Sequence, residues 1–260
     1  TSSRFKGQKV SAPSISFEET DYTWAIRQRL FKANSFLMEQ RYHGMEFFGL
    51  SRLFNEGDHS SFNWNLGGRL YGVGDDNYQM LKKAQRAKIK INGAAVVELD
   101  INASFLRILH GLRGFPLPSS EDIYAIEGID RALVKAWVSS TLGFTSFHRS
   151  WPSGMMTELK KAGVRVGRDT SYPSLQPKVL EHFPVLKDWP DCGIRWSHLM
   201  YEEAEAMMSA MESLRSQGVV ALPVHDSLIV PKSKGLLAER VMRETFEARF
   251  DVGFVISGLR

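Results

Sequence analysis

An aspartate at a hairpin tip is the first group in this sequence whose setting suggests chemistry. His225-Asp226-Ser227 lies between the apolar runs Val219–Val224 and Leu228–Val230. Two β-branched segments joined by a tight polar connection pair as antiparallel strands and push the connection out of the sheet. A carboxylate held that rigidly suits metal-assisted phosphoryl chemistry, provided a second acid is brought beside it. Taken alone, the string reads more readily as an ordinary polar turn.

Asp100 is the candidate for the second acid. Ala94–Leu99 predicts a strand after Asn92-Gly93, and Asp100 ends it. Phe105, Ile108, Leu109 and Leu112 then recur at helical spacing, which predicts a helix with one buried stripe, stopped near Gly111 and Gly114. Asp100 is thus expected at a strand-to-helix junction. Two carboxylates on adjacent strand ends can hold a pair of divalent ions roughly 3.5–4 Å apart, and Mg²⁺ suits all-oxygen ligands.

Two basic elements have the right chemistry to serve such a site. Asp130 predicts the cap of a helix on which Arg131 and Lys135 share one face, while Val134, Trp137, Val138 and Thr141 form the packed face. Two cations on a rigid helix can neutralise charge on a leaving pyrophosphate. Without further context such a pair is a routine solvated face. Leu66-Gly67-Gly68-Arg69-Leu70-Tyr71-Gly72 combines glycines, which let the backbone approach another molecule closely, with a forked donor for phosphate or a base edge. Its plain alternative is a glycine turn.

In this order, these strings resemble the family A DNA polymerases and the related single-subunit RNA polymerases. Asp100–Ile108 resembles the first acidic motif of that family, and Val224–Ser227 its third, with a Ser after the acid as in the phage and mitochondrial RNA polymerases. Arg131 and Lys135 resemble the Arg-x-x-x-Lys pair of the fingers helix, and Gly68-Arg69 the element that touches the primer–template. Glu121–Tyr124 is similar to the segment leading into that helix, with Tyr124 where the family has His. His182–Val185 is similar to a Tyr-Pro element that follows it. Ser197–Gly218 and Gly235–Phe250 match the long helices flanking the hairpin. The likeness runs from about Asn63 to the C-terminus as ordered motifs in a divergent chain.

Departures from the pattern are equally informative. Ser139 stands where the family has a large aromatic or Met, and Gly143-Phe144 where it has Tyr-Gly. Phe105 replaces the Glu five residues after the first Asp. It is either a steric gate against a ribose 2′-hydroxyl, favouring deoxynucleotides, or a member of the apolar stripe with Ile108 and Leu109. Of Glu202 and Glu203, on the helix before the hairpin, one could face the palm, although most helical Glu face solvent.

With 260 residues, 43% of them hydrophobic, the chain can bury a substantial core, but an editing exonuclease has no room ahead of the palm. Asp21–Met45, with Trp24, Ile26, Leu30, Phe31, Phe36 and Leu37, predicts a partly buried helix, which as the reduced thumb implied by the resemblance could clasp the duplex. The basic, Ser-rich stretch up to Ser16 reads as a flexible arm or as the edge of a longer protein. A net charge of +4 agrees with a polyanionic partner. The clusters Lys82–Lys90 and Lys160–Arg168 could line a duplex or simply be solvated. The single Cys192 excludes a disulfide framework or a Cys-built zinc site, and no His-x-x-x-His pair occurs. No signal sequence or apolar run of spanning length is visible, so a soluble, intracellular, cytoplasmic protein of bacterial, phage or plasmid type is expected, with no membrane partner.

The resemblance implies an α+β, right-hand polymerase fold with an antiparallel palm sheet, a helical fingers insertion and a reduced N-terminal thumb. It implies the divisions 1–62 (arm and thumb-like region), 63–112 (palm), 113–195 (fingers) and 196–260 (palm). It also implies a nucleotidyltransferase of class EC 2.7.7 that extends a primer with dNTPs on a nucleic-acid template in DNA replication, alone or with other replication proteins or further domains. Asp100 and Asp226, with the Ile101 carbonyl, would hold two Mg²⁺, or Mn²⁺ in their place. Arg131, Lys135, Tyr124, Phe105 and Ser139 would meet the nucleotide, and Arg69, Gly68 and His225 the primer–template. The alternatives are an RNA polymerase or primase, a nucleic-acid-binding module without catalysis, and, less suited to the cationic helix, a two-metal nuclease.

Overall fold

The computed structural model of the chain describes residues 14–60, 62–120 and 122–258, together with the backbone of 4–5 and 8–9. Most of the N-terminal arm, and Glu121 of the Glu121–Tyr124 match, lie outside the described residues. The architecture is mixed helix and antiparallel sheet. The chain divides into two compact units, Thr1–Asn102 with Met200–Phe246 and Val255–Arg260, and Ala103–Leu199 with Glu247–Phe254.

The first unit opens with β1 (Arg4–Phe5), β2 (Gln8–Lys9), α1 (Asp21–Met38), β3 (Tyr42–His43), β4 (Leu50–Phe54) and β5 (Gly67–Gly72). It continues through α2 (Lys83–Arg86), β6 (Lys90–Ile91) and β7 (Ala94–Ile101). The second unit contributes α3 (Ser104–Arg113), α4 (Arg131–Leu142), α5 (Ser153–Lys161) and α6 (Tyr172–His182). The helix α7 (Trp196–Ser216) leads back to β8 (Leu222–Val224) and β9 (Ser227–Pro231) of the first unit, followed by α8 (Gly235–Phe250) and β10 (Ile256–Ser257). The main sheet runs β3-β6-β7-β9-β8, with β10 also on β7, and β4 and β5 pair separately.

The strand β7 follows the two-residue period of a pleated strand. Leu99 and Ile101 are buried on one face, which leaves Glu98 and Asp100 on the other. Asp100 does not end the strand, as its sequence suggested, but lies within it. β10 supplies the reason: Ser257 pairs with Asp100 and Ile256 with Ile101, extending the ladder. On the other side Leu228 and Ser227 of β9 lie opposite Leu99 and Asp100. The expected hairpin is present, although β8 begins at Leu222 rather than Val219. His225 occupies the left-handed region at φ 55°, which is uncommon for a residue with a Cβ.

Three expectations for the helices need correction. The N-terminal helix ends at Met38 rather than Met45, and its aromatics do not form a core: Trp24 and Phe31 are 53% and 64% exposed. Its inward side instead carries the buried Ala33 and Leu37, beside Arg29, which pairs with Glu205 and Glu212 at 2.8 Å each. On α3 the buried residues include Leu106, Ile108, Leu109 and His110, whereas Leu112 is exposed. Gly114, at φ 64°, closes that helix, as glycine does at a left-handed C-terminal position.

The helix α4 is built as its pattern predicts. Asp130 caps it by accepting a hydrogen bond from the Ala132 amide at 2.7 Å. Val134, Trp137, Val138 and Thr141 are buried. Trp137 stacks on Tyr172 with ring centroids 4.9 Å apart and donates its indole N–H to the Tyr172 carbonyl at 3.0 Å. The core of the second unit is therefore aromatic, with its indole donor satisfied.

Candidate active site

The sheet ties Asp100 and Asp226 together through the backbone. The amide of Ile101 donates to the Asp226 carbonyl at 3.1 Å. Ser227 lies opposite Asp100 in the β7–β9 register, and its hydroxyl donates to Asp100 Oδ2 at 2.9 Å. The Ser after the hairpin acid therefore orients the other acid. In sequence it looked like a mark of one branch of the family; in the fold it is a 3% exposed partner of Asp100.

Electrostatics at Asp226 are unusual. Burial, then the Glu203 and Asp100 carboxylates, push its pKa from an ordinary 3.8 up to about 7, against the opposing pull of Arg69. Arg69 offsets only part of the penalty of burial and of two neighbouring acids. Glu203, against the usual habit of a helical Glu, is 1% exposed. Periodicity held the missed signal: Leu199, Met207 and Leu214 are buried on α7, and Glu203 falls one turn from the first two. A Glu on an apolar stripe is rare unless paired.

Arg69 is the partner of Glu203. Its Nε donates to Glu203 Oε1 at 3.0 Å, and its Nη2 donates to the same oxygen. The glycines before it turn the strand with left-handed φ values of 77° and 71°. They make room for the chain itself: a Cβ on Gly67 would stand 2.8 Å from the Asn55 side chain, and one on Gly68 3.0 Å from Arg52. The Gly68 carbonyl accepts from Arg52 Nε at 2.7 Å. Arg52 also pairs with Glu205 at 2.5 Å. Burial opposes ionisation of Glu205, yet Arg52 and Arg29 keep its pKa below the usual value. This network anchors β4 and α1 to α7 behind Arg69. Gly68→Ala is therefore expected to cost about 1–3 kcal/mol from a strained φ and a crowded Cβ. It should also weaken any nucleic-acid affinity that depends on Arg69; a denaturation midpoint matching wild type would show that the strand relaxes freely.

His225 is exposed at the hairpin tip, its ring edge-on to Tyr71 with centroids 6.2 Å apart. Partial loss of hydration at the ring, then the Arg69 and Arg86 cations, lowers its pKa. Arg86 points inward and forms a two-bond pair with Glu98, at 2.9 and 2.7 Å. That leaves Lys82, Lys83, Lys88 and Lys90 as the exposed part of its basic cluster. Lys160, Lys161, Arg165 and Arg168 are exposed in the other cluster.

In the second unit, Arg131, Lys135 and Ser139 lie on the exposed face of α4. Arg131 is ion-paired to Asp122, and its guanidinium lies 5.5 Å from the centre of the Tyr124 ring. Tyr124 is 5% exposed, so its ring serves as a platform under Arg131. Phe105 is half-buried in the first turn of α3. The Arg131–Asp122 pair is exposed, with side chains 49% and 36% accessible, and contributes about 1 kcal/mol or less. If Arg131 meets a triphosphate, as the resemblance implies, so weak a partner can be displaced. Asp122→Asn is expected to tighten triphosphate binding by about two- to fivefold. Equilibrium titration with pyrophosphate checks this, and weaker binding would mean that Asp122 orients Arg131 rather than competing for it.

No protein-family model and no curated protein matches the chain. Among solved structures it is similar to the POL domain of Pol1 from M. smegmatis in complex with DNA primer-template and dNTP. That likeness covers 74% of this chain and 45% of that one, at 15% identity and a TM-score of 0.42. The chain thus spans less than half of that structure, and at this TM-score the likeness carries no assignment. Among the described residues no helix is long and apolar enough to cross a membrane.

The donor chemistry fits Mg²⁺. Among the described residues no group of three or more His, Cys, Asp or Glu could hold an ion by itself. Mg²⁺ commonly takes one or two carboxylates and completes its shell with water and substrate phosphates. Asp100 and Asp226 offer such a set, and the reluctance of Asp226 to ionise alone fits a place for a cation.

Proposed function

We propose that this chain is a template-directed nucleotidyltransferase whose reaction centre is Asp100 and Asp226. The observation that carries the reading is the backbone-tied pair of aspartates, one of them with a pKa raised to about 7 by burial and neighbouring acids. In this reading the antiparallel sheet is a palm, residues 113–195 are fingers and α1 is a reduced thumb. Asp100 and Asp226, with the Ile101 carbonyl, would hold two Mg²⁺, for which Mn²⁺ can substitute. When bound there, the metal lowers the pKa of an attacking hydroxyl and offsets charge on the leaving group.

The chain's own residues do the rest. Ser227 holds the Asp100 carboxylate in one orientation. Asp226 must release its proton to act as a ligand, so metal-dependent activity rises with pH toward and through neutrality. Arg69, Gly68 and His225 meet the primer–template near the reacting end. Arg131 and Lys135, on α4, take up triphosphate charge and favour departure of pyrophosphate, with Tyr124 beneath Arg131 and Ser139 one turn beyond Lys135. Phe105 is assigned the steric gate that favours dNTPs over ribonucleotides. DNA is the product of first choice. The Ser after the hairpin acid favours an RNA polymerase or primase as the second reading.

Primer extension decides among these outcomes. Purified protein is incubated with dNTPs or NTPs, on DNA and RNA templates, with Mg²⁺ or Mn²⁺. Template-dependent, metal-dependent extension is expected, with deoxynucleotides preferred, and Phe105→Ala should relax that preference. Duplex binding without extension under every condition would favour a binding module over an enzyme.

A further inference from the structure

We propose that Glu203 is a positioning residue of this site: it holds Arg69 permanently as a rigid donor for the nucleic-acid strand beside the reacting end. This inference rests on the nucleotidyltransferase reading and extends it to a residue that no motif marks.

The geometry sets this pair apart from the forked Arg–Glu pairs of the chain. Arg27–Glu19, Arg29–Glu212 and Arg86–Glu98 are all two-oxygen forks, with Nε on one carboxylate oxygen and a terminal nitrogen on the other. Arg69 places both Nε and Nη2 on Oε1 of Glu203, and Oε2 makes no hydrogen bond among the described residues. The non-forked pairs Arg29–Glu205, Arg52–Glu205 and Arg243–Glu239 leave no buried carboxylate oxygen without a partner among the described residues, whereas Glu203 does. A buried carboxylate oxygen without a donor is costly, and such departures cluster at functional sites.

Burial decides whether the pair can open. The Glu203 side chain is 1% exposed and that of Arg69 18% exposed. Separating them would leave a buried charge without its partner, which is strongly destabilising. The exposed Arg131–Asp122 pair can exchange its carboxylate for phosphate, whereas Arg69 must meet its ligand while still bound to Glu203. Because guanidinium is planar, fixing its Nε–Nη2 edge fixes the plane of the whole group. The Arg52–Glu205–Arg29 network holds α7 behind it. The nucleic acid thus meets a donor already oriented, and pre-orientation reduces the entropy lost on binding.

A double-mutant cycle on the full chain tests the proposal. Glu203→Gln keeps the shape and an acceptor oxygen but removes the charge. Primer–template affinity by fluorescence anisotropy, kcat and KM for extension, and the thermal midpoint are measured for Glu203→Gln, Arg69→Ala and the double variant. Glu203→Gln is expected to weaken primer–template binding about tenfold. The double variant should be no weaker than Arg69→Ala alone. Additive losses, or a lowered midpoint with unchanged affinity, would make Glu203 merely structural. Should Glu203→Gln fail to fold, Arg69→Lys takes its place, since it keeps the charge and loses the fork; unchanged affinity there overturns the proposal. A wild-type chain that neither binds nor extends primer–template brings down the functional reading itself, whereas an active wild type with additive variants removes only the role of Glu203.

Discussion

Asp226→Asn is expected to give a protein that is more stable than wild type in metal-free buffer at pH 8 and has lost nucleotide transfer. The stability effect follows from linkage. With its pKa near 7 when folded and 3.8 ordinarily, Asp226 holds its proton in the folded chain over a range where the unfolded chain has released it. The stabilisation this group confers is complete below about pH 4 and is lost as pH rises through about 7. At about 1.4 kcal/mol per pH unit, it amounts to at most roughly 4–5 kcal/mol across that window. Asn carries no charge, so the variant should keep the stability that wild type loses between about pH 4 and neutrality. Divalent cation should restore the wild type and leave the variant unaffected. Activity should fall by at least about 10³-fold, the scale expected when a group acting on the transition state is removed. Urea denaturation from pH 4 to pH 8, with and without Mg²⁺, measures the first effect and single-turnover extension the second. A variant less stable than wild type at pH 8 would mean that Asp226 is ionised and satisfied by the protein itself.

The second large effect concerns the helix that carries Arg131 and Lys135. Trp137 is completely buried and both stacks on Tyr172 and donates to its carbonyl. Trp137→Ala removes the largest apolar surface on α4 and opens a cavity against Tyr172. A loss of about 3–5 kcal/mol is expected. α4 is only three turns long and depends on this contact for its stability. Affinity for pyrophosphate should therefore fall with stability, even though Trp137 lies on the face opposite Arg131 and Lys135. Denaturant titration and pyrophosphate binding test this together. A loss below about 1 kcal/mol would mean that the second unit repacks around the gap.

Much of this site was legible where the pattern is local. The two-residue period of β7, the hairpin around His225 and Asp226, the Asp130 cap and the two faces of α4 each depend on neighbours within a few positions. What could not be read depends on partners far along the chain. β10 joins β7 from the C-terminal end, so Asp100 looked like the end of a strand and proved to lie inside one. Ser227 looked like a family variant until the register set it opposite Asp100. The N-terminal helix is partly buried as its pattern suggests, through Ala33 and Leu37, but the ion pairs from Arg29 to Glu205 and Glu212 on a distant helix could not be read. Glu203 was readable in principle, since it stands on the apolar stripe of α7. Its partner Arg69 lies more than a hundred residues upstream, and no local pattern joins them.

Cation binding tests the central claim most directly. Mn²⁺ is titrated into the wild-type chain, Asp100→Asn and Asp226→Asn at pH 7.5, with free Mn²⁺ followed by electron paramagnetic resonance. The wild type is predicted to bind Mn²⁺, more tightly as pH rises, and Mg²⁺ should displace it. Each substitution is predicted to remove that binding while the fold is retained. Wild-type protein that binds no Mn²⁺, or binding that survives both substitutions, would contradict a metal site built on Asp100 and Asp226.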